Sequence, residues 1–160
     1  MLDTIRSVSD GDQIIEVIHA AFKRYEDDPM PSSALTETAS TIKKELESNV
    51  LIFGAEVLGQ LAGVVKVRCF KDHFYFSRLS VLPEFQGQGI ASAIVRYIEK
   101  QAIQEQTPYV RCKVRKSEGD NIRLYKKLGY HISQEEVMTS PLGFVMETVT
   151  MEKEIDWEGN

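Results

Sequence analysis

Between Arg78 and Ala102 the chain reads RLSVLPEFQGQGIASAIVRYIEKQA: an apolar strand, a proline, a Gln-Gly-Gln-Gly turn and a long amphipathic helix. No other stretch restricts the fold as much. Leu79 and Val81 are spaced for a strand, and Pro83, with no N–H for a ladder, predicts where that strand stops. Beyond the turn, Ile90, Ile94, Ile98 and Ala102 recur at four-residue intervals with Ala91 and Val95 beside them, drawing one apolar stripe. Arg96, Glu99 and Lys100 fall on the polar side. Gly87 and Gly89 permit positive φ and let a ligand approach the backbone without a Cβ in the way. The first N–H groups of a helix lack intrahelical partners and lie at the positive end of its dipole, so the turn reads as an anion cradle suited to phosphate oxygens. The glycines alone leave open a plain strand-to-helix connection.

Composition narrows the classes. At 160 residues the chain has the length of one domain with one core, expected over about residues 3–154 with 155–160 as a tail. A hydrophobic share of 42% and a charged share of 27% are ordinary for a globular protein in water. No apolar run nears the ~20 residues of a membrane span. The start MLDTIRSVSD has neither a basic nor an apolar signal region, so a cytoplasmic location without a membrane partner is expected. A net charge of −5 argues against a general nucleic-acid binder. Cys69 and Cys112 read as buried thiols on strands. His19, His73 and His131 have no metal-ligand spacing, so no metal is expected.

In chain order, Thr4 to Val8 predicts a strand and Ser9-Asp10-Gly11-Asp12 a helix start. The first helix runs to about Tyr25 and buries Ile14, Ile18, Ala21, Phe22 and Tyr25; His19 is expected to be solvated or at an edge. Glu26 to Ser33, with two prolines, predicts an exposed loop. There Tyr25, Asp27, Asp28 and Met30 could line a pocket for an amine, or the loop could be a connector. A second helix follows from near Thr36 to Ser48. Val50–Ala55, Gln60–Phe70 and Phe74–Val81 form a meander of antiparallel strands. The strand at Tyr109–Val114, reached through the long helix, implies a parallel pair. A short helix, Asn121–Leu128, stopped by Gly129, and strands at Tyr130–Thr139 and Phe144–Lys153 complete the chain.

The Gly-rich turn misses the dinucleotide fingerprint, because Ser92 stands at its last small position, and it lacks the Gly-Lys-Ser/Thr of a P-loop. On the short helix Asn121–Leu128, Asn121, Leu124, Tyr125 and Leu128 share one face. Taken alone, Tyr125 reads as a core aromatic and Asn121 as a cap.

Gln86-x-x-Gly89-x-Ala91 resembles the acyl-CoA signature of the GNAT-type N-acetyltransferases, and Asn121 to Tyr130 resembles their second motif with one fewer spacer. The element order is similar as well, over nearly the whole chain. The resemblance implies an α/β single-domain GNAT-like fold: a mixed, mostly antiparallel sheet with a splayed parallel strand pair and helices on both faces. It implies acetyl-CoA as acyl donor and no metal. Backbone groups of Leu79, Ser80 and Val81 would meet the pantetheine arm, the amides of Gln86, Gly87, Gln88, Gly89, Ile90 and Ala91 the pyrophosphate, and Asn121 the cofactor's far side. Tyr125 would be the general acid. Gln86 stands where many relatives carry arginine, which removes one positive charge.

The implied reaction is direct transfer of acetyl to a primary amine of a small molecule or peptide, with no covalent intermediate on Cys112. A lysine-like amine is only about one part in a thousand neutral near pH 7.4, so a proton acceptor is needed. Many relatives place a carboxylate on the strand before the turn, and Phe74–Val81 has none. Glu84, Glu37, Asp28, His73 or a water relay remain for that role, each side chain reading first as a surface residue. The missing carboxylate also keeps open a non-catalytic acyl-CoA sensor or interaction module on the same fold. A toxin-like or protein-terminus acetyltransferase is a further reading. The acceptor and the acyl length depend on the loops at Tyr25–Leu35 and Glu135–Phe144, and a homodimer stays open.

Overall fold

The computed structural model describes residues 2–155; the expected tail, apart from Ile155, lies outside the described residues. The elements are β1 (Thr4–Ser7), α1 (Gly11–Phe22), α2 (Ala39–Glu47), β2 (Leu51–Val57), β3 (Gln60–Cys69), β4 (His73–Val81), α3 (Ile90–Gln104), β5 (Tyr109–Arg115), α4 (Gly119–Lys127), β6 (His131–Thr139) and β7 (Val145–Glu154). Short 3-10 turns occupy Lys23–Tyr25, Ser33–Thr36 and Pro83–Phe85. One mixed sheet orders the strands β1-β2-β3-β4-β5-β7-β6. The β4/β5 pair is parallel, as a strand–helix–strand crossover requires, and β1/β2, β2/β3, β5/β7 and β6/β7 are antiparallel. The fold is thus α/β with a mostly antiparallel mixed sheet. The described residues pack as two compact units, one of 2–68 with Arg78–Tyr97, the other of Cys69–Ser77 with 98–155.

In the first unit, Asp10 caps α1 by accepting from the amides of Asp12 and Gln13. Its apolar face, Ile14, Val17 and Ile18, packs in a core with Ala34, Ile42, Val50, Ile52, Val64 and Leu82. The β2–β3 hairpin turns at Leu58 and Gly59, both at positive φ (51° and 78°), which matches the right-handed twist of its strands. The second helix starts later than its pattern predicts. Glu37 is extended (φ −71°, ψ 149°), and Thr38 caps α2 through a reciprocal pair of bonds with Thr41, so Leu35 falls in the preceding 3-10 turn. The loop before it is not wholly exposed either, since Ser32 is buried and its hydroxyl accepts from the Ala34 amide.

Gly63 on β3 sets how closely α3 can lie. A Cβ there would sit 3.1 Å from the Ile94 Cδ1, 3.1 Å from the Ser80 carbonyl oxygen and 3.4 Å from the Ile90 Cγ2. Ile90, Ile94 and Val95 of α3 are buried, Ile94 and Val95 completely.

In the second unit, β5 pairs with β7 along its whole length, Tyr109–Arg115, but with β4 only from His73↔Tyr109 to Tyr75↔Arg111. Val110, Cys112 and Val114 are buried on one face of β5. Gly129 at φ 100° ends α4, and Tyr130 turns inward to meet Phe76 and Tyr125 edge-on, each with ring centroids 6.2 Å away, while Phe76 and Tyr125 lie 5.6 Å from one another. Glu99 departs from its expected polar face. Its side chain is 12% exposed and accepts from the Tyr130 hydroxyl (2.8 Å) and the Lys153 ammonium (3.0 Å), because a buried phenol needs an acceptor. Cys69 also departs from expectation: it is exposed at the end of β3, and only Cys112 is buried. Ile155 is buried, its N–H bonded to the Pro108 carbonyl at 2.7 Å.

Gly63→Ala tests the close helix approach. The added methyl meets a backbone carbonyl that cannot swing aside, so the unfolding midpoint in urea should fall by an amount equivalent to about 1–3 kcal/mol with an unchanged m-value.

Candidate active site

The turn between β4 and α3 belongs wholly to the first unit. Gly87 and Gly89 have φ of 79° and 81°, and a Cβ built on either meets nothing within 4 Å. The first helical bond of α3 runs from the Ala93 N–H to the Gly89 carbonyl at 3.0 Å. Gly89 is therefore the capping residue, and it has no side chain with which to cap. Where α1 and α2 have leading amides held by Asp10 and Thr38, among the described residues the amides of Gly87, Gln88, Gly89, Ile90, Ala91 and Ser92 have no acceptor. Six consecutive N–H groups without an acceptor thus lead into the positive end of a 15-residue helix, with open space beside Gly87 and Gly89. Gln86 is different. Its N–H donates to the Pro83 carbonyl (3.3 Å) and its side-chain amide to the Val81 carbonyl (3.1 Å), which ties the turn to the end of β4.

Leu79, Ser80 and Val81 form the last turn of the pleat in β4, and Arg78 immediately before them has φ +54°. A left-handed arginine inside a strand is the geometry of a bulge and costs on the order of 1–3 kcal/mol. Its side chain is firmly held: Nε donates to the Glu37 carboxylate at 2.5 Å and one terminal nitrogen to the Ser33 hydroxyl at 2.7 Å. Ser80, 1% exposed, donates its hydroxyl to the Arg78 carbonyl at 2.8 Å.

Glu37 links this strand to β3. Its other oxygen accepts from Lys66, which is 4% exposed and also lies 2.6 Å from Glu45. The Glu37 carbonyl meets His19 Nε2 at 2.7 Å, so His19 is an edge residue rather than a solvated one. Glu37 is 9% exposed, not a surface carboxylate. With each oxygen held by a cationic donor, it anchors the segment between α1 and α2.

Asn121 and Tyr125 lie on α4 in the second unit. Asn121 is half-buried in the first turn, and Tyr125 is 7% exposed with its ring edge-on to Phe76 and Tyr130. Burial, with Glu99 behind it, pushes the Tyr130 phenol well above its usual range and fixes it as a neutral donor. Burial likewise pushes the Cys112 thiol up to about 12. Of the other candidate bases, Glu84 is exposed on the 3-10 turn after β4. Asp28 accepts from the Met30 amide at 2.8 Å. His73 is stacked on Phe70 and bonded to Asp72 at 2.8 Å, with Arg111 3.3 Å from the same nitrogen. That pairing holds the Asp72 carboxyl below its usual range.

Arg78 and Lys66 are what sequence reasoning missed, together with the burial of Glu37 between them. One signal was available: Lys66 interrupts a strand of otherwise small and apolar residues, Ala62 to Val67, and a lysine buried there needs anions.

Among the described residues no helix is long and apolar enough to cross a membrane, and no cluster of candidate ligands could hold a metal. The chain has the fold of the ribosomal-protein-S18-alanine N-acetyltransferase from Escherichia coli, at TM-score 0.70 and 21% identity over 100% of this chain and 97% of that one. An N-acetyltransferase from Staphylococcus aureus Mu50 superposes at TM-score 0.76 and 14% identity, over 96% and 98%. The yncA protein of Salmonella typhimurium, solved with its cofactor acetyl-CoA, does so at 0.70 and 16%, over 100% and 97%. The Acetyltransferase (GNAT) domain family matches residues 48–132, more than half of the chain. With the uncapped glycine turn, the long helix after it and the parallel strand pair all inside that span, the chain belongs to the GNAT acetyltransferase family.

Proposed function

We propose that this protein transfers an acetyl group from acetyl-CoA directly to a primary amine of a small molecule or peptide, with residues 1–160 working as one N-acetyltransferase domain in the cytoplasm. The row of uncommitted amides from Gly87 to Ala91 supports this reading most. Those N–H groups suit a pyrophosphate, and the open space over Gly87 and Gly89 suits its close approach. Gln86 would brace the turn through its two bonds while standing at the cradle's edge. Recognition would rest on dipoles, since the turn Gln86–Gly89 carries no charged side chain.

When bound, acetyl-CoA supplies a thioester whose carbonyl carbon an amine can attack directly, with the thiolate as leaving group. Leu79, Ser80 and Val81 would give backbone groups to the pantetheine arm and an N–H to the carbonyl oxygen as charge develops on it. Asn121 would steady the cofactor from α4. Tyr125 would donate its phenolic proton to the departing sulfur. The amine's own proton would leave through water or Glu84, since β4 offers no carboxylate and Glu37 is held in ion pairs. That same shortage supports a second reading, an acyl-CoA-binding module without transfer activity. Thiol release from acetyl-CoA across an amine panel, followed by mass spectrometry of the products, separates the two: transfer yields an acetylated amine, whereas silence with proven acetyl-CoA binding favours the module.

Three outcomes test the assigned roles. Tyr125→Phe should lower kcat by about 100-fold or more, with acetyl-CoA affinity by calorimetry within roughly twofold of wild type. Gly89→Val should weaken acetyl-CoA binding by about tenfold or more, because valine resists φ +81° and its side chain fills the space over the amides. Cys112→Ala should keep full turnover, and no acetyl label should be trapped on Cys112 of the wild-type protein at neutral pH, where a thiol pushed up to about 12 is almost wholly protonated.

A further inference from the structure

Arg78 adopts a backbone conformation that arginine avoids, directly before the residues proposed to face the thioester, and its side chain is held by two groups from the segment joining α1 and α2. These facts belong together. A left-handed residue reorients the peptide planes around it, and it persists only where its surroundings fix it. Here the fixing contacts are the Glu37 carboxylate on Nε, the Ser33 hydroxyl on a terminal nitrogen and the Ser80 hydroxyl on the carbonyl. Glu37 is itself tied down, because Lys66 from β3 holds its second oxygen and Lys66 also pairs with Glu45 of α2. Ser33 lies in the 3-10 turn Ser33–Thr36, whose Ala34 is fully buried. The anchor is therefore built from the core of the first unit and not from a mobile loop.

We propose that Glu37 and Ser33 act through Arg78 as positioning residues of acetyl transfer. By holding Arg78 left-handed they set the direction in which the peptide N–H groups of Leu79 to Val81 meet the thioester carbonyl, and so how strongly that carbonyl is polarised. The inference rests on the reading of this turn as an acetyl-CoA site. It assigns Glu37, where a base might be sought, to geometry rather than proton transfer. It also separates two things that arginine supplies at position 78, a held side chain and an enforced positive φ. Glycine supplies the second without strain, and alanine supplies neither.

The test uses acetyl-CoA labelled with carbon-13 at the acetyl carbonyl, bound to the intact protein, with the carbonyl stretch read by difference infrared spectroscopy. In the wild type the stretch should move to lower frequency than in free acetyl-CoA. Arg78→Ala and Glu37→Gln should lose about half of that shift or more, with acetyl-CoA affinity by calorimetry within roughly threefold, while Arg78→Gly should regain most of it. Ser33→Ala removes one hydrogen bond and should show a smaller loss in the same direction, which keeps the test alive if a charged variant does not fold. An unchanged stretch in folded Arg78→Ala and Ser33→Ala, with acetyl-CoA bound, would overturn the clamp alone. If the wild type took up no acetyl-CoA, the reading of the site would fall and the clamp with it.

Discussion

The distance between α3 and β3 is the constraint on which the rest of the first unit depends. It is set where Gly63 leaves no side chain, so that Ile90 and Ile94 reach the strand and the Ser80 carbonyl lies within contact of the same spot. An α-helix held that closely by buried isoleucines cannot slide or tilt to find acceptors for its leading amides. The turn before it is closed in turn by Gln86, whose side chain and N–H both bond back toward β4 and the 3-10 turn. What remains is a helix start fixed at both sides and capped by a residue without a side chain. Its unsatisfied donors follow from how the core is packed, and an anionic ligand is what would complete them.

The second device is ionic. Burying Lys66 on β3 is costly unless its charge is matched, and breaking such a pair from one side typically costs about 3–5 kcal/mol. The match comes from two carboxylates on different segments, Glu37 before α2 and Glu45 within it, so the requirement of one strand residue fixes the position of a whole connection. Arg78 then shares Glu37 from the neighbouring strand. Releasing Arg78 would leave part of the Glu37 charge unmatched, a cost of the same order as the strain of a left-handed arginine, about 1–3 kcal/mol, so the cluster opposes that release. Glu99 does similar work in the second unit, where a buried tyrosine and a lysine of β7 meet on one carboxylate.

Much of this fold can be read from the letters because its elements announce themselves locally. The four-residue isoleucine repeat of α3, the alternating apolar strands, Pro83 after β4 and Gly129 after α4 each act within a few residues of where they stand. The positive φ of Gly87 and Gly89 is legible for the same reason, since few other residues tolerate it. Glu37 and Glu99 are not legible. Each looks like one more acidic residue on a polar face, and each is drawn inward by a partner 29 to 54 positions away along the chain. Arg78 is less legible still, because arginine has no preference for left-handed backbone and its conformation comes from tertiary contacts. The start of α2 depends on a subtler competition: the Thr38–Thr41 capping pair outweighs the helical spacing that would begin the helix near Thr36.

Gln86 brings these threads together. An arginine at this place would add a cation to the cradle in place of the bond that the neutral Gln86 amide donates to the Val81 carbonyl. With glutamine, the turn gives up one charge and gains a brace. An anion bound there would then meet backbone dipoles already in place, which need little reorganisation on binding. The net charge of −5 works against long-range attraction of a polyanion, so affinity would have to come from the short-range fit of the amides. That makes rigidity of the turn, rather than local positive charge, the property on which acyl-CoA recognition in this protein would depend. The packing at Gly63, the brace at Gln86 and the held Arg78 are three separate ways in which the chain supplies it.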